Sequence, residues 1–250
     1  MKQQVPSDII NSNQFIPPDN LNSQDYLDQI SMWTRNQKMQ INESKSKIMV
    51  FNFIKNYQFS TRLKLEGHIL ETVSETKLLG TIVTNDLKWT KNTSFIVKKA
   101  NKRLELLRKI SNFGADLEDL KIIYILYIRS LLEQSCVVWH SALTEENAHD
   151  LERIQKTSLR IILKDDYKSY EHALKILDLE NLAKRREMLC LSFAKKCLKN
   201  QKMKQYFSKN LKTHQMKTRN QEVFNINTAH TERLKKSPIT YMQYLLNKNS

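Results

Sequence analysis

The sequence predicts an α+β fold, helical over most of its length, with one helix and a small antiparallel sheet in the first 90 residues and a mainly α-helical bundle after them. Three observations predict it. The 250 residues are 40% hydrophobic, enough to close a core in one large or two small domains. Only 3 Gly and 4 Pro occur, and Pro6, Pro17, Pro18 and Pro238 lie toward the ends, so residues 91–200 hold few helix breakers. The third is a change of apolar period at Trp89, from two residues before it to about 3.6 after it.

Residues 1–22 are polar and rich in Asn, Gln and Pro, the composition of a flexible leader. SQDYLDQISMWTRNQKM then sets Leu27, Ile30 and Trp33 at helical intervals, with Ser23 placed to cap the helix and Asp25 in its first turn. KIMVFNF, residues 47–53, is a β-branched and aromatic run that predicts a strand, and RLKLEGHILETV alternates around Gly67 as a hairpin does. KLLGTIVT predicts one more strand, with Gly80 inside it between Leu78-Leu79 and Ile82-Val83. Glycine weakens a strand interior, so Gly80 marks a bulge, a tight bend or something pressing on the backbone.

After Trp89, TSFIVKKANKRLELLRKIS places Val97, Ala100, Leu104 and Leu107 on one stripe and Lys98, Lys102, Glu105 and Lys109 on the opposite one. LEDLKIIYILYIRSLLEQSCVVW, residues 117–139, is apolar nearly all round and predicts the central helix of the bundle. Its Glu118, Asp119, Lys121, Arg129 and Glu133 argue against a membrane span. Thr144 is placed to cap EENAHDLERIQKTSLRIIL, in which Ala148, Leu151, Ile154, Ser158 and Ile162 share a face. Two further helices follow at 169–178 and 181–199. Residues 201–250 form a basic tail, expected to be partly disordered, with a short helix near 238–247.

The net charge is +15, and it is unevenly spread. Residues 1–90 carry 10 basic against 9 acidic side chains, and residues 91–250 carry 31 against 17. A surplus gathered in one region attracts polyanions by counterion release, so nucleic acid is the expected partner class, with an anionic membrane surface responding to the same charge. Three cysteines, Cys136, Cys190 and Cys197, lack any CxxC or zinc spacing and are expected as buried free thiols in a reducing compartment. No signal segment and no run of about 20 apolar residues is evident, which predicts an intracellular protein of the cytoplasm or nucleus, with no membrane partner.

Candidate chemistry is sparse. Asp165-Asp166 could in principle hold divalent ions for nucleotidyl transfer. The pair lies between two helical runs, however, where Asp serves as a turn and capping residue. The histidines show no metal-ligand spacing, and no HExxH, GxSxG, GxGxxG or Walker sequence occurs. No catalytic or metal-binding residue and no cofactor is therefore assigned. Basic clusters remain: Lys98, Lys99, Lys102 and Arg103 with Arg108 and Lys109, then Lys184, Arg185 and Arg186, then Lys195, Lys196, Lys199, Lys202 and Lys204. The first is the strongest nucleic-acid candidate because it follows directly on the glycine-containing strand. The other two can be read as solvated helix faces.

Several segments, in order, resemble the C-terminal part of non-LTR (LINE-type, jockey-like) retrotransposon reverse transcriptases. They are WTRNQKMQINESKSKIMVF, TKLLGTIVTNDLKW, the run from Leu117 to Leu163, and LAKRREMLCLSFAKKCLK. The matching positions are Trp33, Met39, Asn42 and Lys45 or Lys47, then Leu79-Gly80, Leu87 and Trp89, then Trp139, Leu151, Gln155 and Arg185-Arg186. The resemblance implies a palm remnant at 23–90, a helical thumb-like domain at 91–200 and, at Leu79 and Gly80, a primer grip over which a primer backbone passes. With Lys98, Lys102, Arg103 and Lys109 these form the expected nucleic-acid site, its ligand an RNA–DNA hybrid or RNA.

The family's Asp-Asp hairpin and its Mg2+ ions belong to upstream palm residues absent from these segments. The chain is thus expected to be a truncated polymerase fragment, inert alone, with the remainder of a polymerase as a partner. A nucleic-acid-binding or adaptor protein without a polymerase role, and a decayed copy without selected function, stay open beside it.

Overall fold

A computed structural model describes residues 22–53, 62–207, 224, 226 and 231–249. The chain is mostly helical with small two-stranded sheets, an α+β fold. It divides into two compact units, Met1–Thr76 with Thr84–Leu87, and Lys77–Val83 with Lys88–Ser250. Apart from Asn22, the expected leader lies outside the described residues.

In the first unit, helix α1 spans Ser23–Asn36. Its cap is Asn22 rather than Ser23. Asn22 accepts from the Gln24 N–H at 3.3 Å while the Asp25 carboxylate accepts from the Asn22 N–H at 3.1 Å. Shifting the cap back by one residue places Asp25 at the third helical position, from which it can reach the cap backbone and close a capping box. The apolar face also differs from expectation: Ile30 is exposed and Ser31 is buried. Gln24 orients the helix by exchanging two hydrogen bonds with the Lys64 backbone, 2.7 and 2.8 Å.

The strands of this unit are shorter than their sequence patterns. Strand β1, Lys47–Ile48, pairs in parallel with β4, Glu71–Thr72, so the small sheet is not purely antiparallel. Strands β2, Lys64–Leu65, and β3, His68–Ile69, form the expected antiparallel hairpin around Gly67. Its two central residues, Glu66 and Gly67, both have positive φ, the requirement of a type I′ turn whose twist suits the strands. The predicted strand at 47–53 stops at Ile48. Beyond it the chain leaves the strand, and Phe51 and Phe53 are exposed.

KLLGTIVT is not one strand. Strands β5, Glu75–Leu78, and β6, Thr81–Thr84, pair as a hairpin whose two turn residues are Leu79 and Gly80. Both have positive φ, +48° and +88°, a second turn of the same kind. The glycine therefore marks a chain reversal: two apolar pairs flanking it produce the same alternation as a continuous strand, and only turn geometry tells them apart.

The second unit is built on helix α2, Thr90–Asn112, beginning one residue after Trp89. Its buried stripe is Ile96, Ala100, Leu104 and Leu107, with Val97 only partly covered at the margin. Residues 117–139 are not a single helix. Helix α3, Leu117–Ile123, runs into a π-helical segment, Tyr124–Arg129, and a last turn, α4, Ser130–Glu133. Ser135 at φ +54° then redirects the chain into α5, Cys136–Trp139. Nor is the segment buried all round. Leu120, Tyr124, Ile128 and Leu132 face the core, whereas Leu117, Ile122, Leu126 and Tyr127 are exposed. Leu117–Ala142 is the one described stretch long and apolar enough to cross a bilayer. It is broken at Gln134 and Ser135 and carries an Arg129–Glu133 ion pair at 3.5 Å.

Helix α6, Glu145–Leu163, starts from Thr144, whose hydroxyl accepts from the Asn147 N–H at 3.2 Å as predicted. Asp165 and Asp166 lie in the exposed turn after it, before α7, Tyr170–Ile176. Helix α8, Leu182–Lys199, leads to α9, Gln201–Lys204, and after α10, Glu232–Lys235, the chain ends in α11, Pro238–Lys248. The expected tail is thus in part a packed element. Phe207, Phe224, Met242 and Leu246 close a second apolar cluster over Ala194 and Cys197. The basic composition concealed this because the four apolar residues are far apart in sequence. Residues 208–223, 225, 227–230 and 250 of the expected tail lie outside the described residues.

The main core holds one polar device. Gln155, fully buried, accepts from the Tyr124 hydroxyl, and its amide donates to Tyr170 Oη at 2.8 Å and to the Glu180 carbonyl at 2.9 Å. Tyr170 in turn donates to Glu152, which also accepts from the Leu182 N–H at 3.1 Å. Burial pushes both tyrosine hydroxyls far above their ordinary pKa, so they serve as neutral donors.

Candidate nucleic-acid interface

Within the second unit, α2 carries a cationic stripe. Lys98, Lys102 and Lys109 recur at intervals of four and seven, and all are exposed. At 1.5 Å per residue, Lys98 and Lys102 are about 6 Å apart along the axis and Lys109 about 10 Å further. None of the three makes an ion pair among the described residues, while Glu105, on the same stripe, dilutes its charge. Arg103 differs from the lysines. Its guanidinium lies 4.3 Å from the centre of the Tyr127 ring and donates to the Tyr127 carbonyl, so it bridges α2 to the π-helical segment. Its remaining N–H groups leave it able to contact an anion.

The tip of the β5–β6 hairpin is held against this helix by residues of the same unit. Asn92 of α2 accepts from the Ile82 N–H at 3.0 Å. Lys77 and Lys99 lie on the Phe95 ring, 5.1 and 4.7 Å from its centre, so a hairpin cation and a helix cation share one aromatic platform. Gln134, at the end of α4, donates to the Leu79 carbonyl at 3.4 Å. A Cβ on Gly80 would meet Gln134 Nε2 at 2.4 Å. Gly80 thus answers to two local demands, a positive φ and the close passage of a glutamine side chain. Leu79, beside it, is 88% exposed at φ +48°.

Of the expected site residues, the structure therefore brings Leu79 and Gly80 onto one end of α2, runs Lys98, Lys102 and Lys109 along its open face, and commits Arg103 to Tyr127. Sequence reasoning missed Lys77, Phe95, Gln134 and Tyr127. Phe95 and Lys99 are four apart on a helix, a spacing that could have been noticed. The contributions of Lys77, Gln134 and Tyr127 depend on a turn and a π segment that no pattern signalled.

The remaining basic clusters divide differently than expected. Lys184 and Arg185 are on the surface, paired with Glu180 at 2.6 Å and Glu133 at 3.1 Å. Arg186 is not part of a solvated face. It is 0% exposed, stacked 5.8 Å from the centre of the Trp139 ring, with Nε donating to His140 Nδ1 at 3.4 Å. Two positions along α8 turn its neighbours outward and this side chain inward, and burial pulls its pKa down. His140 is held neutral, its pKa lowered to about 4, first by burial and then by the adjacent Arg186 charge. No family model, curated protein or solved structure matches this chain.

Proposed function

We propose that this chain binds the backbone of an RNA–DNA hybrid or RNA along the open face of α2 and the β5–β6 tip, as a thumb and palm–thumb junction of the reverse-transcriptase kind. The observation that carries the reading is Leu79. An L-residue other than Gly, Asn or Asp costs about 1–2 kcal/mol in the left-handed region, and an almost fully exposed leucine recovers little of that by burial. Strain retained at an exposed apolar tip beside a cationic helix supports a contact surface there, since strained residues gather at functional sites. The lysine stripe supplies salt-sensitive attraction to phosphates, and Leu79 with the bare Gly80 backbone supplies an apolar ledge that a sugar-phosphate chain can approach.

Chemistry is not assigned to these residues. In the family resembled, two-metal phosphoryl transfer uses carboxylates upstream of the matched segments, so the chain acts here as a binding element. The test is a salt titration of binding to a labelled RNA–DNA hybrid by fluorescence anisotropy, with primer extension measured on the same sample. Saturable, salt-sensitive binding without extension is expected. Extension by the chain alone, or no binding at low salt, refutes the reading. Restoration of extension by an added palm fragment carrying the Asp-Asp hairpin separates a polymerase fragment from a stand-alone nucleic-acid-binding protein.

A further inference from the structure

Four features of the second unit meet at one place on its surface. The first is the π-helical segment Tyr124–Arg129, a rare conformation that gathers at functional sites. It turns Tyr124 and Ile128 into the core and leaves Leu126 69% and Tyr127 43% exposed. Ile122, four residues before Leu126, is exposed as well, and so is Leu106 on α2, three residues from Arg103 and four from Lys102. This gathering of apolar side chains is the second feature, since single exposed apolar residues are ordinary and a group of them marks a binding surface. The third is the Arg103 guanidinium, 4.3 Å from the centre of the Tyr127 ring, which joins the two elements. The fourth is charge. Lys121 is paired with Glu118 and Arg129 with Glu133, both at 3.5 Å, so the cations of α3 and the π segment are balanced locally. The cations beside them that make no ion pair among the described residues are those of α2, and Lys102 is next to Arg103 in the chain.

We propose that this surface holds the unpaired bases of a single-stranded segment adjoining the hybrid. Tyr127 and Arg103 are the stacking platform, Leu126 and Leu106 its apolar border, and Lys102 the contact to the neighbouring phosphate. The proposal rests on the reading of α2 as a phosphate-binding face and adds the class of nucleic acid that suits it. Phosphates call for cations alone and give exposed leucines and a tyrosine ring nothing to contact. Bases supply flat apolar faces, and aromatic rings and guanidinium groups are what those faces stack on. Within a duplex the faces are covered by neighbouring bases, so only an unpaired strand can offer them. A membrane would cover the whole patch and bring Glu118 and Asp119, one turn before Ile122, against anionic headgroups. A strand can instead lay its phosphates along α2 only. A second copy of the chain would set one cationic stripe against another.

The test measures binding of the full chain, by anisotropy, to three labelled RNA–DNA hybrids: one blunt, one extended by a short single-stranded RNA overhang, and one extended by the same overhang built of abasic residues. The two overhangs carry equal phosphate charge, so the ratio of their affinities isolates the bases. A ratio of at least about fivefold is expected, the low end for stacking a single base. The salt slopes of the two should match, because the slope counts phosphates and not bases. Tyr127→Ala should bring the ratio close to one, Tyr127→Phe should keep it, and Leu126→Ser, at a position too exposed to disturb the core, should lower it. Circular dichroism verifies the fold of each variant. Equal affinity for the two overhangs while the blunt hybrid still binds overturns the base site and leaves the phosphate-binding reading standing. Failure of the blunt hybrid to bind at low salt overturns both. A ratio that survives Tyr127→Ala and Leu126→Ser together places the bases elsewhere and overturns the proposal. So does binding to phosphatidylserine-containing vesicles that Leu126→Ser abolishes, which would assign the patch to a lipid surface.

Discussion

Replacing Leu79 by Asn should make the protein more stable and a poorer ligand for an RNA–DNA hybrid. Leu79 sits at the first central position of a turn that requires positive φ there, a position Asn occupies readily and Leu does not. Relief of that strain is worth about 1–2 kcal/mol for a residue fully at ease in the left-handed region, and Asn recovers part of it, about 1 kcal/mol. The burial given up is small. Full burial of a leucine contributes about 1.5–3 kcal/mol, and this one is 88% exposed, leaving at most a few tenths. The hairpin should gain about 0.5–1 kcal/mol, which in a chain of this size raises the thermal midpoint by about 1–4 °C. Thermal melts followed by circular dichroism, at one protein concentration, measure it. Hybrid binding by anisotropy at fixed salt measures the other half, where loss of the apolar ledge should weaken affinity severalfold. A lowered midpoint would refute the strain argument, and unchanged affinity would remove Leu79 from the interface.

Reversing charge at Lys98, Lys102 and Lys109 together should weaken hybrid binding and flatten its log K against log salt slope by about 0.7–0.9 for each phosphate no longer neutralised, with the fold unchanged; an unaltered slope would move the site to the basic residues of 195–204. Gly80→Ala should lower stability by about 1–2 kcal/mol through its φ, while the added Gln134→Ala removes only the smaller part due to the close Nε2 approach, so a double mutant as stable as Gln134→Ala alone would disprove the turn argument. Gln155→Leu takes from the Tyr124 hydroxyl and the Glu180 carbonyl their buried partner, while Tyr170 keeps its bond to Glu152, and should cost about 2–3 kcal/mol, read as a lower urea midpoint. His140 is held at about pH 4 when folded against 6.5 when unfolded. The unfolded chain therefore binds the extra proton between those values, and stability contributed by the neutral ring is present above pH 6.5 and lost as pH falls toward 4. His140→Gln should flatten the stability profile in that window relative to wild type.

What the sequence determined by itself is the local and periodic part. The helix at 145–163 was legible because an apolar stripe at 3.6-residue spacing and the Thr144 cap are each written within a few residues, and those at 170–176, 182–199 and 238–248 match the expected spans to within two residues; the hairpin at Gly67 was legible from its alternation. The cationic stripe of α2 was legible for the same reason. Only the tertiary structure decided the rest. Whether LeuGly was a strand interior or a turn depended on backbone dihedrals. Whether residues 117–139 were central or peripheral depended on which neighbours covered them. Whether Arg186 faced water or the core depended on its rotation beside Trp139, since three adjacent basic residues point in different directions on a helix. Burial, turn conformation, the meeting of Lys77 with Phe95 and that of Gln134 with the Leu79–Gly80 turn are properties of contacts between separate segments of the chain, and no local pattern encodes them.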